Sequence, residues 1–404
     1  MNRTMERVRA TRPDGKHAYL VYVHGPATLS PLMVMEQPYD GIDWTGEAVD
    51  QKWAARGDGL HPDDDAPGYD GDDLTAYHLA TPEEAAGQAT PHLFNGNAVV
   101  LAYGRFYAGG SLEDDIVDAT SAYHFALARP GELDASRVAV FGGSWGGMMS
   151  LFGASRVPAG VTLRAVVALS PPSDFVDLWD WVTVTGPAVY PDQASFAAFY
   201  SPYQRRILAA TGGTPAQAPA AWEPYRPGAL CGGLAGPTLV LHDTWDVLIP
   251  CDQTRALTQA CPGAVTPMLW PRPLPIDYAA VKMDHGLFGK EPGLPTPLTF
   301  AYLHAHRALR APSVSAPLYA FLHGEALHEL AGLLRAAQLR GEDVSYAAPV
   351  LGELCDPRVT ALDPVDGSMT KGAAALVTQV NAVWGTTFTE TSVCEQLASG
   401  LPSP

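Results

Sequence analysis

The chain predicts an α/β fold: a mostly parallel central sheet with helices on both faces, interrupted by an inserted cap and followed by a helical C-terminal extension. Short apolar, β-branched runs recur at residues 17–23, 32–36, 98–103, 137–141, 164–169, 238–242 and 265–270. Helix signals separate several of them, from Ser111, after Ser144, from about Gln253 and over roughly 297–309. Alternation of this kind stacks parallel strands and lays the connecting helices on the sheet. With 404 residues, 47% of them hydrophobic, the chain has enough apolar surface for one large core plus insertions.

Residues 17–23 and 32–36 read as strands joined by a turn at Gly25-Pro26, and residues 98–103 as a third, closed by Gly104-Arg105. Ser111 fits a helix N-cap, with Asp114 three residues on. Asp115 and Asp118 fall in the early turns, where carboxylates suit the positive end of the helix dipole. Arg105 reads as one half of a structural salt link. Residues 164–169 form a further strand that ends at Ser170-Pro171-Pro172.

Residues 137–150 carry the chemistry. They read Arg-Val-Ala-Val-Phe-Gly-Gly-Ser-Trp-Gly-Gly-Met-Met-Ser, a β-favouring run, a Gly-x-Ser-x-Gly turn and a helix-compatible segment. This is the nucleophile elbow of α/β-hydrolases, in which a serine sits exposed on a strained strand-to-helix turn. Side chains two positions either side of that serine would collide with strand and helix, so glycine is required there. Two partners should follow in the order Asp or Glu, then His. Asp246 lies on a polar loop after the 238–242 strand, and His285 on a loop beside Gly286. Singly, Asp246 reads equally as a turn aspartate and His285 as a surface histidine. In order, with Ser144 before them, they form a triad.

Two resemblances follow. Gly-Gly-Ser-Trp-Gly-Gly (142–147), the Asp246 loop before Ile249-Pro250, and Asp284-His285-Gly286 resemble the catalytic domain of the prolyl oligopeptidase family. Residues 31–41, Pro-Leu-Met-Val-Met-Glu-Gln-Pro-Tyr-Asp-Gly, are similar to a strand and turn of the X-prolyl dipeptidyl peptidase and cocaine esterase family. Together they cover roughly residues 15–310, with no β-propeller and no jelly roll. The second resemblance implies that the Tyr39 hydroxyl is an oxyanion donor, beside the backbone N–H of Trp145. The other reading of Tyr39 is a packed turn. His24-Gly25-Pro26 competes for the same role, but Pro26 stands where the donor is needed and has no N–H.

The domain reading is a hydrolase core in two parts, residues 1–170 and 236–311, with a cap over 171–235 and an appendage over 312–404. An insertion over about 44–97 carries Asp63-Asp64-Asp65 and Asp70-Gly71-Asp72-Asp73, whose spacing differs from the twelve-residue calcium loop. A solvated acidic loop is expected there, with no metal and no cofactor. The cap is rich in aromatics, including Phe175, Trp179 and Trp181. These either form the cap's own core or favour an apolar substrate group at a hydrolase mouth. In the appendage, Leu327, Leu330, Leu333, Leu334 and Leu339 mark an amphipathic helix. It would pack on the core or join copies of the chain in a homo-oligomer.

Net charge is −18, from 43 acidic and 25 basic residues, without a basic patch, so neither nucleic acid nor an anionic membrane is an expected partner. No apolar run is long enough to span a bilayer, and the first residues show no apolar signal-peptide core. The cysteines number five and form no Cys-x-x-Cys pair, which suggests a reduced, cytoplasmic setting while leaving a Cys251–Cys261 bridge open. The expected function is a serine hydrolase working through an acyl-enzyme, a prolyl-oligopeptidase-like peptidase cleaving small peptides. The alternatives are a carboxylesterase acting on small acyl esters and a non-catalytic binding protein of the same fold. Among nearby carboxylates, Glu36, Asp40, Asp43 and Glu47 would suit a substrate ammonium, with surface solvation as their plainer reading.

Overall fold

A computed structural model of the chain describes residues 4–37, 96–106 and 110–270, together with 89, 92–93, 275–279, 281, 283, 285, 299, 302–303 and 306–308. The strands are β1 (Thr4–Thr11), β2 (His17–His24), β3 (Ser30–Gln37), β4 (Ala98–Tyr103), β5 (Leu133–Gly143), β6 (Leu163–Leu169), β7 (Thr238–Asp243) and β8 (Val265–Trp270). They form one sheet in the order β1-β2-β4-β3-β5-β6-β7-β8. β1 and β2 pair antiparallel, as do β2 and β4, and every other neighbouring pair is parallel. The sequence reading missed β1, whose Thr-Met-Glu-Arg-Val-Arg-Ala-Thr lacks an apolar run. It forms one of the two outer strands of the described sheet, where interleaved charges are tolerated and discourage pairing with other chains.

Apolar alternation explains how the sheet is buried. Leu20, Tyr22, Leu32, Val34, Val100 and Val140 belong to one core cluster on the face covered by α1 (Leu112–Leu127) and α2 (Trp145–Ala154). The intervening Val21, Met33, Val99, Leu101 and Ala139 are also fully enclosed. Burial on both faces is why these strands read as continuous apolar runs. At the start of α1, Asp114 N–H donates to Ser111 Oγ at 3.2 Å and Ser111 N–H donates to Asp114 Oδ2 at 2.9 Å, a reciprocal cap.

Between β6 and β7 the chain is helical. It folds as α3 (Phe175–Asp180), a π turn (Trp181–Thr185), α4 (Gly186–Val189), α5 (Gln193–Thr211), α6 (Pro219–Trp222), a 3₁₀ turn (Glu223–Tyr225) and α7 (Pro227–Cys231). Its aromatics meet one another: Trp179 with Trp222 at 5.6 Å between ring centroids, Trp181 with Phe196 at 6.0 Å. Buried Gln253, in α8 (Asp252–Ala260), fastens these helices to the core. Its Oε1 accepts from the N–H groups of Ser173 and Asp174 at 2.9 and 2.8 Å, and its Nε2 donates to Asp177 at 2.6 Å.

Cys231 and Cys261 form a disulfide, while Cys251 is a buried free thiol. Cys261 therefore pairs with Cys231 and not with Cys251. Structural disulfides form and persist in oxidising compartments, which runs against the reduced setting suggested by the cysteine count. No helix among the described residues is long and apolar enough to cross a membrane. The acidic runs at 63–73, Tyr39, Asp40, Asp43, Glu47 and the 312–404 appendage lie outside the described residues.

Candidate active site

The site grows from the switch point of the sheet. β3 connects to β4 on one side, whereas β5 continues into β6 on the other, so the carboxyl ends of β3 and β5 border a crevice. Ser144 follows β5 there, with φ 54° and ψ −122°, a left-handed conformation held by a non-glycine residue. Its N–H donates to the Leu169 carbonyl at 2.7 Å, which carries the β5–β6 ladder through the turn. Gly142 makes the turn sterically feasible. A Cβ at that position would lie 2.1 Å from the Gly146 carbonyl oxygen, a distance no side chain tolerates.

β7 ends at Asp243 beside β6 and β8, and the following loop carries Asp246. Its carboxylate is almost wholly buried. Oδ1 accepts the N–H groups of Leu248 and Ile249 at 3.0 and 2.8 Å, and Oδ2 lies 2.8 Å from His285 Nδ1. A carboxylate only accepts, so Nδ1 carries the proton. His285 Nε2 is then the acceptor for the Ser144 hydroxyl, 3.0 Å away. Burial would raise the Asp246 carboxyl, but His285 and His242 outweigh it and hold the group well below the usual carboxylate range. The three residues form one hydrogen-bonded line in which Ser144 can pass a proton to His285 while Asp246 stabilises the imidazolium.

His242 was not singled out in the sequence, although it stands at a strand end four residues before Asp246. It is fully buried. Its Nε2 lies 2.7 Å from the Ile249 carbonyl and 3.4 Å from Asp246 Oδ2, and its Nδ1 lies 2.7 Å from Thr254 Oγ1. The carbonyl requires a proton on Nε2, leaving Nδ1 to accept from the Thr254 hydroxyl. Two imidazoles thus present N–H groups to the same side of Asp246.

The strands that precede the two segments weighed for the second oxyanion donor finish at opposite ends of the sheet along the strand direction. His24 pairs with Thr4 at the end of β2 that adjoins the start of β4, opposite the elbow. Its turn is therefore remote from Ser144. β3 instead runs to Gln37 with Glu36 in register with Gly142, so the chain leaves that strand beside the elbow. Glu36 is not the solvated surface carboxylate that its sequence context suggests. It is 2% exposed, and neither carboxyl oxygen has a hydrogen-bond partner among the described residues. Burial, with Asp118 and Asp115 adding like charge, pushes its carboxyl well above the ordinary range.

The cap aromatics also divide. Trp181 Nε1 donates to the Val247 carbonyl at 3.3 Å, and Tyr200 donates its hydroxyl to the Leu248 carbonyl, so the cap grips the Asp246 loop directly. Trp181 also lines a cavity of about 380 Å³ with Asp177, Asp246, Cys251, Arg255 and Tyr278. That cavity borders the carboxylate end of the line, and Ser144 and His285 are not among its walls. Trp179 packs on Trp222 within the cap. Phe175 is fully enclosed, its ring 5.7 Å from Trp145 and 6.0 Å from Tyr225, and it does not line the cavity. Arg105 forms the expected salt link, to Asp118 at 2.8 Å.

The sheet order and the strand–elbow–helix unit define the class: this is an α/β-hydrolase fold. No family model matches the chain, and no curated protein does. Among solved structures it is similar to puromycin hydrolase, at 18% identity and a TM-score of 0.44, covering 85% of this chain and 40% of that one. It is also similar to oligopeptidase B from Leishmania major, at 13% identity and a TM-score of 0.42, covering 66% of this chain and 32% of that one. An acetyl xylan esterase from Paenibacillus sp. R4 aligns at 15% identity and a TM-score of 0.42, over 68% of this chain and 83% of the esterase. The chain thus spans 40% or less of the first two proteins.

Proposed function

We propose that this chain is a serine hydrolase that works through an acyl-enzyme, and that its substrates are small peptides. The observation that carries the reading is the Ser144–His285–Asp246 line, at 3.0 and 2.8 Å, set on a strained elbow at the switch point. Ser144 attacks the carbonyl carbon as His285 Nε2 takes its proton. The imidazolium returns that proton to the leaving amine, and a water activated by His285 clears the acyl group. The Trp145 N–H and the Tyr39 hydroxyl hold the oxyanion. The exit of β3 beside the elbow supports Tyr39 in this role.

The test is a paired screen of aminoacyl-nitroanilides and p-nitrophenyl esters with wild type and Ser144→Ala. The reading predicts turnover of nitroanilides that Ser144→Ala abolishes. Turnover of esters alone would replace the peptidase with a carboxylesterase. Turnover retained by Ser144→Ala would overturn the hydrolase mechanism.

A further inference from the structure

Trp145, the residue after the nucleophile, is held by a buried carboxylate. Asp115 lies fully enclosed in the first turn of α1, and its Oδ2 accepts the Trp145 indole N–H at 2.7 Å. Its Oδ1 accepts the backbone N–H groups of Arg105 and Phe106, at 2.5 and 2.7 Å, where β4 ends. All three partners are donors with no acceptor capacity at those atoms, so the pocket matches a carboxylate and neither a hydroxyl nor an amide. Gly104 makes room for it, since a Cβ there would stand 2.7 Å from the carboxyl carbon. Around the indole, Phe106, Phe175 and Tyr203 stand at centroid distances of 4.6, 5.7 and 6.1 Å.

This clamp is itself anchored. Arg105 turns its guanidinium to Asp118, with Nε–Oδ2 and Nη2–Oδ1 both 2.8 Å, and Arg12 meets the same Asp118 at 3.0 Å. The segment after β1, the end of β4, the start of α1 and the first residue of α2 therefore share one buried polar network. Apart from the Ser111–Asp114 cap, the helix dipole alone does not require Asp115 to face inward. Its inward aim is what needs an explanation.

We propose that Asp115 is a positioning residue of the hydrolase: by tethering the Trp145 indole it sets the direction of the Trp145 backbone N–H toward the oxyanion formed at Ser144. The proposal rests on the serine-hydrolase reading above. Indole and amide belong to one residue, and the elbow is already strained, so release of the side chain frees the backbone to relax. An oxyanion donor acts only when aimed at the position the charge will occupy. Small misplacement in an active site is costly, so untethering should lower the chemical step roughly 10- to 100-fold, less than outright removal of a donor.

Two variants test this. Trp145→Phe removes the donor and keeps an aromatic ring. Asp115→Asn keeps the volume but sets amide hydrogens against N–H donors. Each should lower kcat roughly 10- to 100-fold with KM within about twofold, and the double variant should lose no more than the worse single, because the pair acts as a unit. Phenylboronic acid, which forms a tetrahedral adduct on a reactive serine, should weaken by a similar factor. In the resting wild-type protein, the Trp145 indole N–H should be shifted downfield and protected from exchange, and Asp115→Asn should abolish both signatures. Wild-type turnover and boronate affinity in Trp145→Phe, or losses that appear in KM alone, would overturn the positioning role. A wild-type protein with neither turnover nor labelling of Ser144 by a fluorophosphonate would instead refute the hydrolase reading, and this proposal with it.

Discussion

At Asp246, two backbone N–H groups converge on one carboxylate oxygen and two imidazoles approach the other. This concentration of donors keeps a buried carboxylate charged and fixes the tautomer of His285. In the proposed mechanism nucleophile and base act as a unit, so Ser144→Ala and His285→Ala should each cost about 10⁴-fold or more in kcat, and the double variant should lose little beyond either single. Steady-state kinetics on the three variants checks this, and additive losses would separate the two residues. Glu36 shows the opposite electrostatics. Its carboxyl is raised well above the ordinary range in the folded chain by burial, so between the unfolded and folded values the folded chain holds a proton that the unfolded chain releases. Stability then falls as pH rises through that interval, by up to about 1.4 kcal/mol per unit. Glu36→Gln should therefore flatten the decline in urea midpoint as pH rises above the ordinary carboxylate range. A variant with an unchanged slope would show that Glu36 is ionised in the folded protein.

Among the elements, β3 and the β7–α8 unit position the chemistry. β3 brings Glu36 into register with Gly142, and Tyr39, the proposed second oxyanion donor, follows that strand in the chain. Tyr39→Phe should thus lower turnover around 10²–10³-fold while barely changing KM. Wild-type acylation in that variant would move the second donor to a backbone amide. The β7–α8 unit is closed by the Cys231–Cys261 bridge, which spans 30 residues and encloses Asp246 and His242. A loop of that length implies about 3–4 kcal/mol of chain-entropy stabilisation. Reduction, or Cys231→Ser, should lower the denaturation midpoint accordingly, and thiol titration of the native protein should find neither cysteine reactive. Equal midpoints with and without reductant would show that the bridge contributes nothing. The sequence left a Cys251–Cys261 bridge open and did not point to Cys231. The fold instead stands α7 against the end of α8, a proximity that no local pattern encodes.

Across the molecule, local patterns were legible and long-range partnerships were not. The elbow could be read because strain, glycine and nucleophile are all encoded within residues 142–146, and seven of the strands announced themselves as apolar runs. β1 did not, since an outer strand is free to carry charge. Ser144, Asp246 and His285 could be read together because chain order and strand ends constrain them. Asp115 and His242 could not, because a helix-start aspartate and a strand-end histidine look alike whether they face solvent or a catalytic loop. Glu36 was misread for the same reason, its burial being decided by α1 folding over it. The switch point then unites these pieces, gathering residues from β5, β7 and the 285 loop at one end of the sheet. The central claim is that this gathering makes Ser144 a nucleophile. The most direct measurement is labelling of the folded wild-type chain with a fluorophosphonate, followed by peptide mapping. The account predicts one label per chain, on Ser144, lost in His285→Ala. Absence of label, or a label on another residue that survives in Ser144→Ala, would contradict it.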